Sequence, residues 1–425
     1  MKKNHSSSKK LVLSLVTISF LSSYSYANNN TIDNLQTSTQ NINNSTNTLT
    51  ITNDGSVITN SGNAVNFQAG STITTFKNQG TLQGASGGYG VQVGTSSSAA
   101  TINTFTNEGV IGNNISNYGV VIWGGSSSKS TIDNFNNSGT INAKANGREA
   151  IFLKNADIQT FNNSGVISSN NHGVSIGEGG IINTFTNSGT INSDRNYGVS
   201  VGKGGAINTF NNDGTINSNS SYSVNVGNDA TIKTFNNNGV IQGRNNFGTV
   251  LLSQSTIDNF NNKGTIKNTG TRQPSEQYAA STGLFLYKSK IETLTNDGSI
   301  SGVMGLSLNI GTIENFINKG TIESTTNDKR GAAISINTIR DSVSTINNLT
   351  NQGTIKSSSN GILTEAGNTI NTITNKGAIE ADLNGISFFN YDDSSGEATK
   401  LGKIILENGS SIKARRNGIN IDNAS

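Results

Sequence analysis

The side chains able to carry catalysis are few in this 425-residue chain. A nucleophilic relay needs a serine or cysteine beside a histidine base. The chain has no cysteine and two histidines, His5 and His172. No serine stands in a Gly-Asp-Ser setting, and Asn-Asp-Gly-Ser at 53–56 and 296–299 is a recurring corner instead. Zinc sites are built from Cys or clustered His, so this composition offers none. The Gly-Gly-x-Gly-x-Asp calcium nonapeptide and the glycine-rich nucleotide loops are absent. What remains is Asn171-His172-Gly173 and the pair Asp392-Asp393. Two carboxylates flanking a glycosidic bond can protonate the leaving oxygen and activate water. Asp392 and Asp393, however, lie in the polar run Asn390 to Glu397, where solvation is the simpler reading. The expectation is no catalytic residue, no cofactor and no metal.

Charge excludes another class. Residues 1–27 hold four lysines (Lys2, Lys3, Lys9, Lys10), an apolar stretch from Leu11 to Leu21 and a small-residue end at Ser25-Tyr26-Ala27. This is the pattern of a secretory signal peptide with cleavage after Ala27. The apolar stretch is too short for a spanning helix. The whole chain has 29 Lys+Arg and 26 Asp+Glu. Without the leader, 25 cations face 26 carboxylates, so the net charge falls to about −1. No clustered basic face remains for nucleic acid. Absence of cysteine in an exported chain also excludes a disulfide scaffold.

The elements that must position any site are set by a repeat. Thr-Ile-x-Thr/Asn-Phe-x-Asn-x-Gly-Thr/Val-Ile recurs, as at Thr101 to Ile111, Thr131 to Ile141 and Thr231 to Ile241. Its glycines run from Gly55, Gly80 and Gly109 to Gly353 and Gly377, with Gly409 a looser fourteenth. Between Gly165, Gly189, Gly214, Gly239 and Gly264 the steps are 24 or 25 residues. A fixed period of this size is the signature of a solenoid. Phe185, Asn187, Gly189 and Ile191 share one parity, so alternation puts them on one face. Ile182 lies three residues before Phe185, so a bend or bulge must turn both inward. Val199 and Val201 form a further alternating segment. The expectation is an all-β, right-handed parallel β-helix of about fourteen coils, with three short strands per coil. Residues 28–48 are expected as a polar cap and 49–425 as the repeats. A single proline, Pro274, agrees with near-continuous sheet.

Two columns stand out within the coil. One is the asparagine of Phe-x-Asn-x-Gly, from Asn107 and Asn137 to Asn375, read as a ladder of stacked amides. The other precedes the valine segment: Tyr89, Tyr118, Glu149, His172, Tyr197, Tyr222 and Phe247. Such a stripe can stack on sugars or apolar partners, or simply support the corner. Three coils break the rhythm, at 267–290, 323–345 and 390–403. Insertions in a solenoid map to surface loops, often on the binding face. Their candidate binding residues are Arg272, Tyr278, Lys329, Arg330, Arg340, Asp392 and Asp393.

A signal peptide, no cysteine and Asn/Gly/Ser-rich coils resemble the passenger region of Gram-negative autotransporters. The phrase Ile182-Asn-Thr-Phe-Thr-Asn-Ser-Gly-Thr-Ile191 is similar to epsilonproteobacterial members of adhesin and vacuolating-cytotoxin type. The resemblance covers residues 28–425 and implies a β-helix carried across the outer membrane by a C-terminal translocator barrel. No barrel is seen in this sequence, which reaches Ser425 inside another coil phrase, so a fragment or truncated product is expected. The resemblance implies a virulence-associated adhesin or structural surface protein, with host-cell or neighbouring-cell surface molecules as partners. It is displayed or secreted, or periplasmic without a barrel. The alternatives are a toxin-like passenger and a polysaccharide-active enzyme. Against the latter, Asn171-His172-Gly173 precedes Asp392-Asp393, the reverse of the polygalacturonase order, and the basic motif of that family is missing.

Overall fold

The computed structural model describes residues 29–43, 45–112, 117–144, 148–244, 248–274, 280–337, 343–365, 367–389 and 399–421. The expected signal peptide and the candidates Phe247, Tyr278, Arg340, Asp392 and Asp393 lie outside these residues. The described residues form strands and no helix. The strands make three parallel sheets of fifteen strands each, and each sheet takes every third strand in chain order. Each coil therefore places one strand in each sheet, and the next coil stacks upon it. Fifteen rungs at the strand spacing make a rod of roughly 65–70 Å. The expected solenoid is present, with one rung more than the fourteen anchors implied. The extra rung comes from the polar segment: Asn29–Ile32, Leu35–Gln36 and Gln40–Ile42 already pair in all three sheets.

One coil shows why. Ile181–Asn187 lies in the first sheet, Thr190–Ser193 in the second and Val199–Val201 in the third. Ile182, Phe185, Ile191, Val199 and Val201 are fully buried. The bend is where the spacing demanded it. Ile182 pairs with Ile207 and Thr184 with Thr209, while Asn183 is passed over in the register. That turn brings Ile182 and Phe185 to the same interior. Identical residues then stack: Ile on Ile, Phe on Phe, Asn on Asn. From Phe105 to Phe260 successive rings lie 4.5–4.9 Å apart with planes within 12°. Isolated rings prefer offset or edge contacts. Here the backbone repeat imposes the stack.

The asparagine ladder is continuous and gains Asn78 below Asn107. Each Nδ2 donates to Oδ1 of the next coil's asparagine at 2.7–2.8 Å, from Asn78 through to Asn375. Most also donate toward the carbonyl of the glycine two residues on, as Asn212 does to Gly214 at 3.3 Å. This satisfies a polar group inside an apolar core.

The anchoring glycines are not there for a left-handed backbone. They are absent from the positive-φ set, which includes Gly62, Gly70 and Gly204. A Cβ on Gly214 would lie 2.1 Å from the Gly189 carbonyl oxygen, and the same clash recurs from Gly80 to Gly377. Close approach of successive backbones is what excludes a side chain. Gly409 is unlike the others: φ is +86° and its Cβ position is open.

Candidate binding surfaces

The aromatic column sits at the corner entering the third sheet, where each residue precedes a Gly-Val-like strand start. Stacking of coils brings its members together in two groups. Tyr89 and Tyr118 meet edge to face at 5.3 Å. His172, Tyr197 and Tyr222 stack in a tilted series at 4.7 and 5.4 Å. Glu149 interrupts the series between Tyr118 and His172. Burial raises its carboxyl above the usual range, and one of its oxygens, Oε2, is covered without a partner. Burial also pushes the Tyr118 and Tyr222 hydroxyls up to about 12 and the His172 imidazole down to about 4. The backbone N–H of Tyr197 donates to His172 Nδ1 at 3.3 Å, so this ring nitrogen is an acceptor and the imidazole is neutral. His172 is thus a half-buried, hydrogen-bonded corner residue. Among the described residues no serine or carboxylate is hydrogen-bonded to its ring.

The irregular coils come together more than sequence indicated. Residues 267–274 and 280–281 on one rung and 325–331 on another meet in one lobe. Thr326 Oγ1 donates to Gln273 Oε1 at 2.6 Å. Arg330 Nη2 donates to the Pro274 carbonyl at 3.3 Å and to Asp328 Oδ2 at 3.1 Å. Arg330 Nε adds a bond to Asp328 Oδ1 at 3.2 Å, a forked pair that holds the Asp328 carboxyl below its usual range. Ala280, Val303 and Met304 form a small apolar core of their own beneath. Asn360 Nδ2 donates to the Lys329 carbonyl at 2.8 Å, tying the lobe to the next rung. Arg272 and Arg330 are half-buried here and Lys329 is exposed. The lobe therefore carries three of the seven loop candidates on an ordered base. Pro274 terminates no strand. It is buried in this lobe and supplies a carbonyl.

Sequence reasoning missed Trp123 and Phe152. They are not in the corner column but on the outward side of the third sheet, where Val120, Ile122, Ile151 and Leu153 face the core. The signal was available: large apolar residues on the wrong parity of an alternating segment. Leu251 and Phe285, paired in register and also outside the main core, repeat it further along. Elsewhere, a shallow groove of about 540 Å³ runs past Gln254, Lys288, Lys290 and Ile310. Ile310 holds φ +60°, a strained value for a β-branched residue. Lys290 there is already paired with Glu292 at 2.7 Å and Glu314 at 3.4 Å. Among the described residues no cluster of three metal-ligating side chains occurs.

By architecture the chain is a parallel β-solenoid, a form compatible with a passenger-like surface region. Comparison with protein-family models, curated proteins and solved structures finds no match.

Proposed function

We propose that the chain is an exported, passenger-type β-solenoid that acts at the cell surface as an adhesin or structural contact rod. The leader-like residues 1–27 route it out of the cytoplasm, and host-cell or neighbouring-cell surface molecules are its partners. The observation that carries this reading is the lobe joined by Thr326–Gln273 and Arg330–Pro274. The rod needs no such lobe to close its core, because coils of 24 and 25 residues close without it. Irregular loops held rigidly by a regular scaffold are the usual place for recognition. Preorganisation by the forked Arg330–Asp328 pair lowers the ordering cost of binding.

The test uses purified residues 28–425, fluorescently labelled, on cultured epithelial cells and on bacteria of the producing species. Saturable binding is expected. Replacing 269–281 and 325–331 with the short corners of the 25-residue coils should remove it while far-UV circular dichroism stays β-rich. Equal binding by the loop-less rod would count against the lobe. Cell killing or vacuolation by the intact chain would favour a toxin-like passenger. Release of reducing sugar from a glycan, abolished by Asp392→Asn, would favour an enzyme.

A further inference from the structure

A closed cluster of four aromatic rings lies on the outward side of the third sheet. Tyr89 meets Tyr118 at 5.3 Å and Tyr118 meets Phe152 at 5.7 Å, centroid to centroid. Phe152 meets Trp123 at 6.2 Å, and Trp123 returns to Tyr89 at 6.1 Å. Tyr118 is buried, whereas Tyr89, Trp123 and Phe152 remain half-exposed. The exposed Arg148 guanidinium lies 5.7 Å over the Tyr118 ring. The solenoid does not require these rings. Phe152 pairs with Ser175, and the same outward position continues as Ser200 and Asn225.

Two polar atoms in this neighbourhood are covered and have no partner: Trp123 Nε1 and Glu149 Oε2. An unmet buried donor and acceptor favour any state that satisfies them. The Trp123 ring itself is half-exposed.

We propose that this cluster is a binding site for a pyranose ring of a glycan. The C–H face of a sugar stacks on half-exposed aromatic rings. Its hydroxyls both donate and accept, which suits one indole donor, one carboxyl acceptor and a guanidinium at the rim. A wholly apolar partner would leave the indole N–H and the carboxyl oxygen unmet, so the polar atoms decide between the two. The site is about six rungs from the loop lobe, or roughly 30 Å at the strand spacing. It does not rest on the lobe making contacts.

Trp123 is the single tryptophan of the chain, so its emission reports this site alone. Purified protein is titrated with lactose, cellobiose and N,N′-diacetylchitobiose, up to the solubility of each. A saturable blue shift with at least one sugar is expected. Phe152→Ala and Arg148→Ala should each weaken it about tenfold or more, and Phe152→Tyr should keep it because the stacking face is retained. Tyr287→Ala, an outward aromatic elsewhere on the same sheet, should leave it unchanged. Thermal unfolding of each variant shows whether it has kept its fold. No saturable change with any of the three sugars overturns the proposal, as does a response that survives both Phe152→Ala and Arg148→Ala. Because no cells are involved, this result is independent of the cell-binding assay.

Discussion

Replacing Asn212 by aspartate should make the rod sensitive to base and recover it in acid. Asn212 is fully buried. Its Nδ2 donates to Asn237 Oδ1 at 2.8 Å and to Gly214 O at 3.3 Å, and its Oδ1 accepts from Asn187 Nδ2 at 2.8 Å. An ionised aspartate keeps the accepting oxygen but puts a second oxygen where the donor was. Two attractive contacts become oxygen–oxygen repulsions inside an apolar core. Buried carboxyls of this kind rise by about 3–5 pH units. At about 1.4 kcal/mol per unit the full loss is about 4–7 kcal/mol above the folded pKa, of which about 4 kcal/mol is present at pH 7. The protonated acid is nearly isosteric with the amide, and its O–H can donate to Asn237. The folded pKa is therefore raised above the unfolded value near 4. The folded state binds more protons in that window, so stability is present below pH ~4 and lost as pH rises through the folded pKa. Urea unfolding of Asn212→Asp and wild type, followed by far-UV circular dichroism at matched pH values, measures the difference. Asn183→Asp is the control, since half-buried Asn183 only accepts, from Asn208 Nδ2 at 2.7 Å. If Asn212→Asp matched wild type at pH 7.5, or showed no relative recovery in acid, the ladder would not be a donor chain.

Four further outcomes follow from the same geometry. Gly214→Ala should cost more than about 3 kcal/mol by opening two rungs, while Gly204→Ala, at φ +66° with open space, should cost only about 1–2 kcal/mol; thermal melts of the pair separate steric from conformational need. Phe210→Leu should cost less than Phe210→Ala, about 1–2 against 3–5 kcal/mol, because the same column already accepts Leu294 and Leu349; denaturant midpoints report it. His172 has its pKa lowered to about 4 by burial, so its stabilising neutral state is complete above the unfolded value near 6.5 and is lost as pH falls through 4. The loss is about 3 kcal/mol at most, and His172→Phe should flatten the pH profile of melting over that range. Lys290→Ala should leave the melting temperature essentially unchanged, because its ion pairs with Glu292 and Glu314 are open to solvent; the same melts check it.

The coil was legible because every rung repeats the same decision. Ile182, Phe185 and Ile191 declare one interior, and the three-residue step between the first two dictates the bend. The ladder was legible from the parity of Asn187 with Phe185. The reason for Gly214 was not, because a clash with a carbonyl one coil below is a contact between residues 25 apart. The lobe was legible only as two separate irregularities. That Gln273 meets Thr326 depends on how two insertions fold back over a corner, and no local pattern encodes that. Trp123 and Phe152 were missed because attention to the inward parity hides what the outward parity carries. Their wrong-side bulk was nonetheless in the sequence.

The asparagine column has a direction. Each side chain gives its hydrogen toward the C-terminal neighbour, with no reversal from Asn78 to Asn375. At the lower end Asn78 Oδ1 is buried with nothing to accept, directly above Ile51 in the register. At the upper end Asn375 Nδ2 turns instead to the carbonyls of Gly377 and Ser411. The two ends of the column are chemically unlike: at one a lone pair is left over, at the other the amide hydrogens are taken up by carbonyls. Aligned amides polarise one another, so the rod carries a built-in vector along its axis. Within the column, each coil therefore presents a donor to the coil above it and an acceptor to the coil below it. Each turn thus instructs the next in polarity as well as in position.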